Sequence, residues 1–99
     1  MYTKLSADNF IIETLSNLRL SANLFWAYSG GSVGKTSIER CLNGTRELDS
    51  RTEAPQLLEL ARELRKLQED YPVPIDWREV RTIKTILQHR REIAQVQKQ

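Results

Sequence analysis

The stretch Gly30-Gly31-Ser32-Val33-Gly34-Lys35-Thr36 holds the residue types that most invite a chemical reading. A glycine-rich loop running into Lys-Thr at a helix start can cradle phosphate, because bare backbone N–H groups and a helix N-terminus both favour an anion. The spacing does not fit a nucleotide site. That motif requires glycine where this chain has Ser29, and no hydrophobic strand precedes the loop or ends in an aspartate that could hold magnesium.

Other routes to catalysis also lack their parts. Asp8 with Glu13, or Glu53 with Glu59, are the nearest approaches to an acid and base pair, and each is expected on a polar helical surface with no pocket to separate their protonation. Cys41 is the only cysteine and His89 the only histidine. One cysteine cannot form an internal disulfide, and the two residues fall short of a zinc ligand set. His89 lies beside Arg90 and Arg91 and is expected on the surface. The expectation is therefore a chain that is not an enzyme, with no catalytic residue, metal or cofactor.

The remaining chemistry is that of charge and hydrogen bonding to a large polar partner. Lys35, Thr36, Ser37, Arg40 and Asn43 lie on one short helical segment, with Ser32 just before it and Arg46 just after. Lysine and arginine can donate to guanine or to phosphate, and the short hydroxyl and amide side chains suit phosphate oxygens or base edges. Glu39 falls on the same outer side as Lys35, so an ion pair one helical turn apart competes with a nucleic-acid role for Lys35. For Arg46 the competing role is that of a solvated loop arginine.

The elements that must position these residues are all helical. Strand-type alternation is nearly absent, whereas apolar residues recur at spacings of three and four. Asp8 could cap a first helix in which Ile11, Leu15 and Leu18 share a face and which ends near Leu20. Ser21 is placed to cap a second, holding Leu24, Phe25, Ala27 and Tyr28 and stopped by Ser29-Gly30-Gly31. Lys35 to Leu42 forms the third, with Ile38 and Leu42 inward and Asn43-Gly44 as its stop.

A long fourth helix opens at Asp49 or Ser50, with Glu53 completing a capping box. Leu57, Leu60, Ala61, Leu64 and Leu67 form its seam, while Arg62, Glu63, Arg65, Lys66 and Glu69 are expected in solvent. Tyr71-Pro72-Val73-Pro74 ends it. A last helix is expected from Asp76, capped through Glu79, with Trp77, Val80, Ile83, Leu87 and Ala94 inward, Ile86 and Ile93 widening the stripe, and fraying after Val96. Trp26 and Trp77 read as core or interface aromatics, Trp26 with part of its ring exposed.

The middle of the chain resembles the lambda-repressor/Cro-like helix-turn-helix family over about residues 8 to 68. The residues that carry the likeness are Ala27, the Gly30-Gly31 turn, Ser32 to Ser37, and Ile38-Glu39-Arg40-Cys41-Leu42-Asn43-Gly44. The continuation also fits, through Gly44-Thr45-Arg46-Glu47-Leu48, Thr52 and the Leu57-Leu58-x-Leu60-Ala61-x-x-Leu64 helix. Ala27 to Ile38 is one residue longer than the family pattern, which lengthens the turn.

The resemblance implies an all-α, five-helix helix-turn-helix domain with an added C-terminal helix. It also implies that the third helix enters the major groove of double-stranded DNA. Ser32, Lys35, Thr36, Ser37, Arg40, Asn43 and Arg46 would then be the DNA-binding residues. The function it implies is sequence-specific transcriptional regulation of the phage or prophage type, exerted by a dimer.

Size and charge are compatible with that picture. Ninety-nine residues, 39% hydrophobic and 28% charged, suit one modest core. The formal charge of +2 is only weakly basic, so a monomer is expected to hold DNA weakly and a dimer to double its phosphate contacts. Residues 1–70 read as the DNA-binding unit and 71–99 as a helical extension and candidate dimerisation element.

The broad apolar stripe of the last helix must be covered, either by its own domain or by a second copy, and the symmetric pair is the expectation. Arg81, Lys84, Arg90 and Arg91 would then face solvent or phosphate. No signal-peptide pattern and no run near the ~20 apolar residues of a membrane span are present, so a cytoplasmic location is expected. A second function stays open: the same scaffold could bind protein, as an inhibitor or adaptor such as a phage anti-defence protein, because a fold does not fix its use. The mixed charge of the third helix keeps that reading in play.

Overall fold

The computed structural model describes residues 6–97. Five helices follow one another: α1 (Ser6–Leu18), α2 (Ala22–Tyr28), α3 (Lys35–Asn43), α4 (Glu53–Glu69) and α5 (Val80–Gln97). The fold is all-α among the described residues, as the periodicity predicts. No helix among them is long and apolar enough to cross a membrane.

α1 buries Ile11 and Leu15 along the face read from the sequence, with Leu18 half-buried. Its start differs from expectation. The helix already includes Ser6, so Asp8 lies inside the first turn and is buried, 1% exposed, instead of capping the helix. Asp8 Oδ2 accepts from the backbone N–H of Leu48 at 3.3 Å, which ties α1 to the link before α4. The chain leaves α1 through Arg19, whose φ of 55° lets the Leu20 N–H reach back to the Leu15 carbonyl at 2.9 Å.

Ser21 then caps α2 as expected, its Oγ accepting from Leu24 N at 3.2 Å. Phe25 and Tyr28 are buried, and Trp26 is 39% exposed on the other side. Gly30 and Gly31 carry the chain onward at φ of 71° and 79°. A Cβ at either position would meet nothing within 4 Å, so backbone conformation and not space is what calls for glycine there.

α4 supplies the central wall through Ala54, Leu57, Leu60, Ala61, Leu64 and Leu67. It begins at Glu53 behind Thr52, whose side chain makes no cap bond. Of Asp49 and Ser50, the two residues offered for its start, Asp49 is the one engaged, in the turn before the helix: its Oδ1 accepts from Arg51 N and Thr52 N, and Glu53 Oε1 accepts from Asp49 N at 2.9 Å. Arg65, expected in solvent, is half-buried instead. Its guanidinium stacks 4.2 Å from the centre of the Phe10 ring, and its Nε donates to Thr14 Oγ1 at 2.6 Å.

α5 begins at Val80, four residues later than the sequence suggests. Asp76 is occupied by Arg78, accepting from both its backbone N–H and its guanidinium, so the predicted capping box with Glu79 does not form. Trp77 consequently belongs to the preceding loop. It is buried there, with its indole N–H donating to the Leu18 carbonyl at 3.0 Å. Gln68 holds the same loop from α4, donating to the Val73 carbonyl and accepting from Ile75 N, both at 2.9 Å.

α1 packs on α4, α3 on α1 and α2, and α5 on α2. Ile83 and Leu87 of α5 join the same buried cluster as Ile11, Phe25 and Leu64. Further along, Ala94 is exposed, as are Ile93 and Val96. Arg81, Lys84 and Arg91 are exposed, as expected, and Arg90 is half-buried; Arg90 and Arg91 also reach carboxylates. Arg90 meets Asp70 at 2.6 Å and Arg91 meets Glu63 at 2.7 Å, fastening α5 to α4 and its end.

Candidate nucleic-acid interface

α3 is a short helix held along one side only. Ile38 and Cys41 are buried and Leu42 is half-buried. Lys35, Thr36, Glu39, Arg40 and Asn43 are all exposed. The inward positions at 38, 41 and 42 and the outward ones at 35, 36, 39, 40 and 43 follow from a period of 3.6 residues. The sequence reading gave Leu42 the larger inward role; Cys41 is the more deeply buried of the two.

Both ends of α3 are sharply set. Gly34 stands at its start in extended conformation. Gly44 ends it at φ 76°, its N–H donating to the Cys41 carbonyl at 3.1 Å while the Thr45 N–H returns to the Arg40 carbonyl at 2.9 Å. That closure satisfies two carbonyls that would otherwise be left open at the helix end and points the chain straight toward Arg46.

Four of the seven residues singled out from the sequence share the exposed side of α3: Lys35, Thr36, Arg40 and Asn43. Arg40 makes no side-chain hydrogen bond or ion pair with the described residues, so its guanidinium is available. Lys35 is partly engaged, its Nζ 3.9 Å from Glu39 Oε1, with both side chains 47% exposed. Ser32 is exposed in the link before α3, where its hydroxyl donates to the Ser29 carbonyl at 3.0 Å.

Ser37 and Arg46 are brought together in a way the sequence did not indicate. Ser37 is half-buried, and its Oγ accepts from Arg46 Nη1 at 2.9 Å. Arg46 Nη2 lies 3.6 Å from Glu53 Oε1, the same oxygen that accepts from Asp49 N. A polar chain therefore runs from α3 through Arg46 to the start of α4. Glu53 is the member that sequence reading missed in this setting, because the only signal it gave was that of a capping residue.

Charge on this side is mixed: Lys35, Arg40 and Arg46 stand with exposed Glu39 and Glu47, and Glu53 is more deeply set beside Arg46. Asp49, at the edge of the same region, has its carboxyl held below the ordinary range. Hydrogen bonds from the Arg51 and Thr52 N–H groups are the main cause. No group of His, Cys, Asp and Glu residues able to hold a metal ion occurs among the described residues. Comparisons with protein-family models, with curated proteins and with solved structures find no significant match to this chain.

Proposed function

We propose that the chain is a small sequence-selective DNA-binding regulator whose α3 enters the major groove, in the manner of the lambda-repressor/Cro-like helix-turn-helix family that residues 8 to 68 resemble. One observation carries the reading. α3 buries Ile38 and Cys41, with Ser37 and Leu42 half-buried, and it holds Lys35, Thr36, Arg40 and Asn43 outward on a rod with glycine at both ends. A helix presented this way can reach base edges with its side chains while its backbone stays on the protein. Arg40 and Lys35 supply donors for guanine or phosphate, Thr36 and Asn43 supply short polar contacts, and Ser32 and Arg46 flank them.

The regulator acts as a dimer, through the distal turns of α5. Exposed Ile93 and Val96 in a helix whose earlier turns bury Ile83 and Leu87 along one face support this part of the reading. Two copies would place two α3 helices about one helical turn of DNA apart, roughly 34 Å, and double the phosphate contacts of a weakly charged protein.

The test is binding to random-sequence duplex fragments at low salt, followed by selection of the retained fragments. Salt-sensitive binding with enrichment of a near-palindromic site is the expected result. Arg40→Ala should weaken that binding about 5- to 100-fold, the range for one good base contact, with the melting temperature unchanged. No retention of duplex at low salt would defeat the proposal and favour a protein partner for the same surface.

A further inference from the structure

The exposed side of α3 carries one carboxylate, Glu39, between Lys35 a turn before it and Arg40 beside it. Its placement is poor for helix stability. The pair runs Lys then Glu, the weaker order for residues four apart, and it puts the cation at the helix end that already carries positive partial charge. The contact is long, at 3.9 Å, and both partners are half in water. A carboxylate here also repels phosphate.

In a groove, by contrast, an ionised carboxylate has a narrow set of good partners. It only accepts hydrogen bonds, and the major-groove donors are the amino groups of cytosine and adenine. Adenine sets an acceptor nitrogen beside its amino group, whereas cytosine offers the donor without one. The guanine of the same pair presents two acceptors, which suit an ammonium and not a carboxylate. A C·G pair therefore matches a carboxylate and an ammonium held side by side, as Glu39 and Lys35 are.

We infer that Glu39, with Lys35 alongside it, is a specificity-determining residue that reads one C·G base pair, Glu39 accepting from the cytosine amino group. The inference rests on the DNA-binding reading of α3 and deepens it. It assigns to Glu39 a role in discrimination and not in affinity: it rejects thymine and guanine at that position by facing their acceptor atoms with a negative charge.

The experiment is parallel site selection with the wild type, Glu39→Gln and Lys35→Ala on random duplex DNA, with thermal melts as the folding control. The wild type is expected to enrich cytosine at one position of each half-site. Glu39→Gln should lose about 5- to 100-fold of that preference, the range for one base contact, and should bind unselected duplex more tightly. Lys35→Ala should keep the cytosine preference in part while binding all sites more weakly. Wild-type binding with the same base preferences in Glu39→Gln overturns the inference alone, whereas no wild-type binding to duplex overturns the DNA reading together with it.

Discussion

The hydroxyl of Tyr28 donates to the backbone carbonyl of Trp77, 49 residues further along the chain, and the two rings meet edge to face with centroids 6.3 Å apart. This contact joins the last turn of α2 to the loop that launches α5. It sits next to the bond from the Trp77 indole to Leu18, so one tryptophan anchors both the end of α1 and the end of α2. Burial, and then the negative charge of Asp76, push the Tyr28 hydroxyl up to about 12 from its ordinary value of 10.0.

Tyr28→Phe is therefore expected to lower stability by about 1–2 kcal/mol in denaturant unfolding, since it leaves a buried carbonyl without its donor. The pH dependence has a definite sign. A phenol that ionises less readily when folded gives its full contribution below the unfolded value of 10.0 and loses it as pH rises toward about 12. The wild type should lose stability over that alkaline interval and the variant should lose less. Parallel alkaline limbs for the two proteins would exclude this contact as the cause.

Asp8 gives a prediction in which two substitutions diverge. Its Oδ2 receives the Leu48 N–H while its Oδ1 finds no donor among the described residues, in a site where the residue is 1% exposed. Asp8→Ala strands the Leu48 N–H and should cost about 1–3 kcal/mol. Asp8→Asn keeps an acceptor oxygen and removes a buried charge, so it should unfold closer to the wild type. Equal losses from the two variants would show that the charge, and not the acceptor, is what the site requires.

At the start of α4 the prediction separates Asp49 from Ser50. Asp49 accepts two backbone N–H groups and Glu53 returns a bond to it, whereas Ser50 takes no part. Asp49→Ala should lower the melting temperature and speed amide exchange at residues 51 to 54, with Ser50→Ala close to the wild type. The carboxyl of Asp49 is held below its ordinary value, so its contribution is present above that value and is lost as pH falls through the lower folded one. Equal melting temperatures for Asp49→Ala and Ser50→Ala would reject this assignment.

These capping details mark the boundary of what the sequence could reveal. The five helices, their order and most of their buried faces were legible, because apolar periodicity and glycine stops are local signals. Starts were misplaced where the expected cap lies inside the helix, as Asp8 does in α1, or where an arginine captured the acid, as Arg78 captures Asp76, and local spacing could not choose between Asp49 and Ser50 before α4. Long-range polar pairing was invisible for the same reason: Arg65 with Thr14, Arg91 with Glu63 and Arg46 with Ser37 follow from how helices meet and not from spacing along the chain. Within the candidate interface, the exposed side of α3 was readable, and the second role of Arg46 was not.

The distal part of α5 tests the dimer. Ile93 is 44% exposed and Val96 is 71% exposed, whereas Ile83 and Leu87, roughly three and two turns before Ile93, are buried in the core. Replacing both Ile93 and Val96 by Asp should leave the melting temperature nearly unchanged at low concentration, because neither side chain belongs to the buried cluster. Sedimentation at micromolar concentration should change from dimer to monomer. A wild type that sediments as a monomer throughout that range would remove this face from the proposal.

Arg46 is where structure and proposed function make opposing demands, and its variants can tell them apart. Its guanidinium braces Ser37 of α3 against Glu53 at the start of α4, yet its side chain remains 47% exposed beside the proposed DNA-facing side. As a simple phosphate contact it would add the same increment on every sequence. Arg46→Ala would then weaken selected and random duplex equally and reduce the salt slope by about 0.9. As a brace it sets the aim of α3, so its loss should weaken the selected site more than random duplex. The melting temperature should fall slightly, reflecting the roughly 0.2–1 kcal/mol of a half-exposed pair. We expect the second pattern, because both nitrogen ends of the fork face protein groups. Arg46→Lys keeps the charge and cannot span two partners in the same plane, so it should retain the salt dependence while losing part of the selectivity. If Arg46→Lys selects the same site as strongly as the wild type, the brace is dispensable and Arg46 acts through its charge alone.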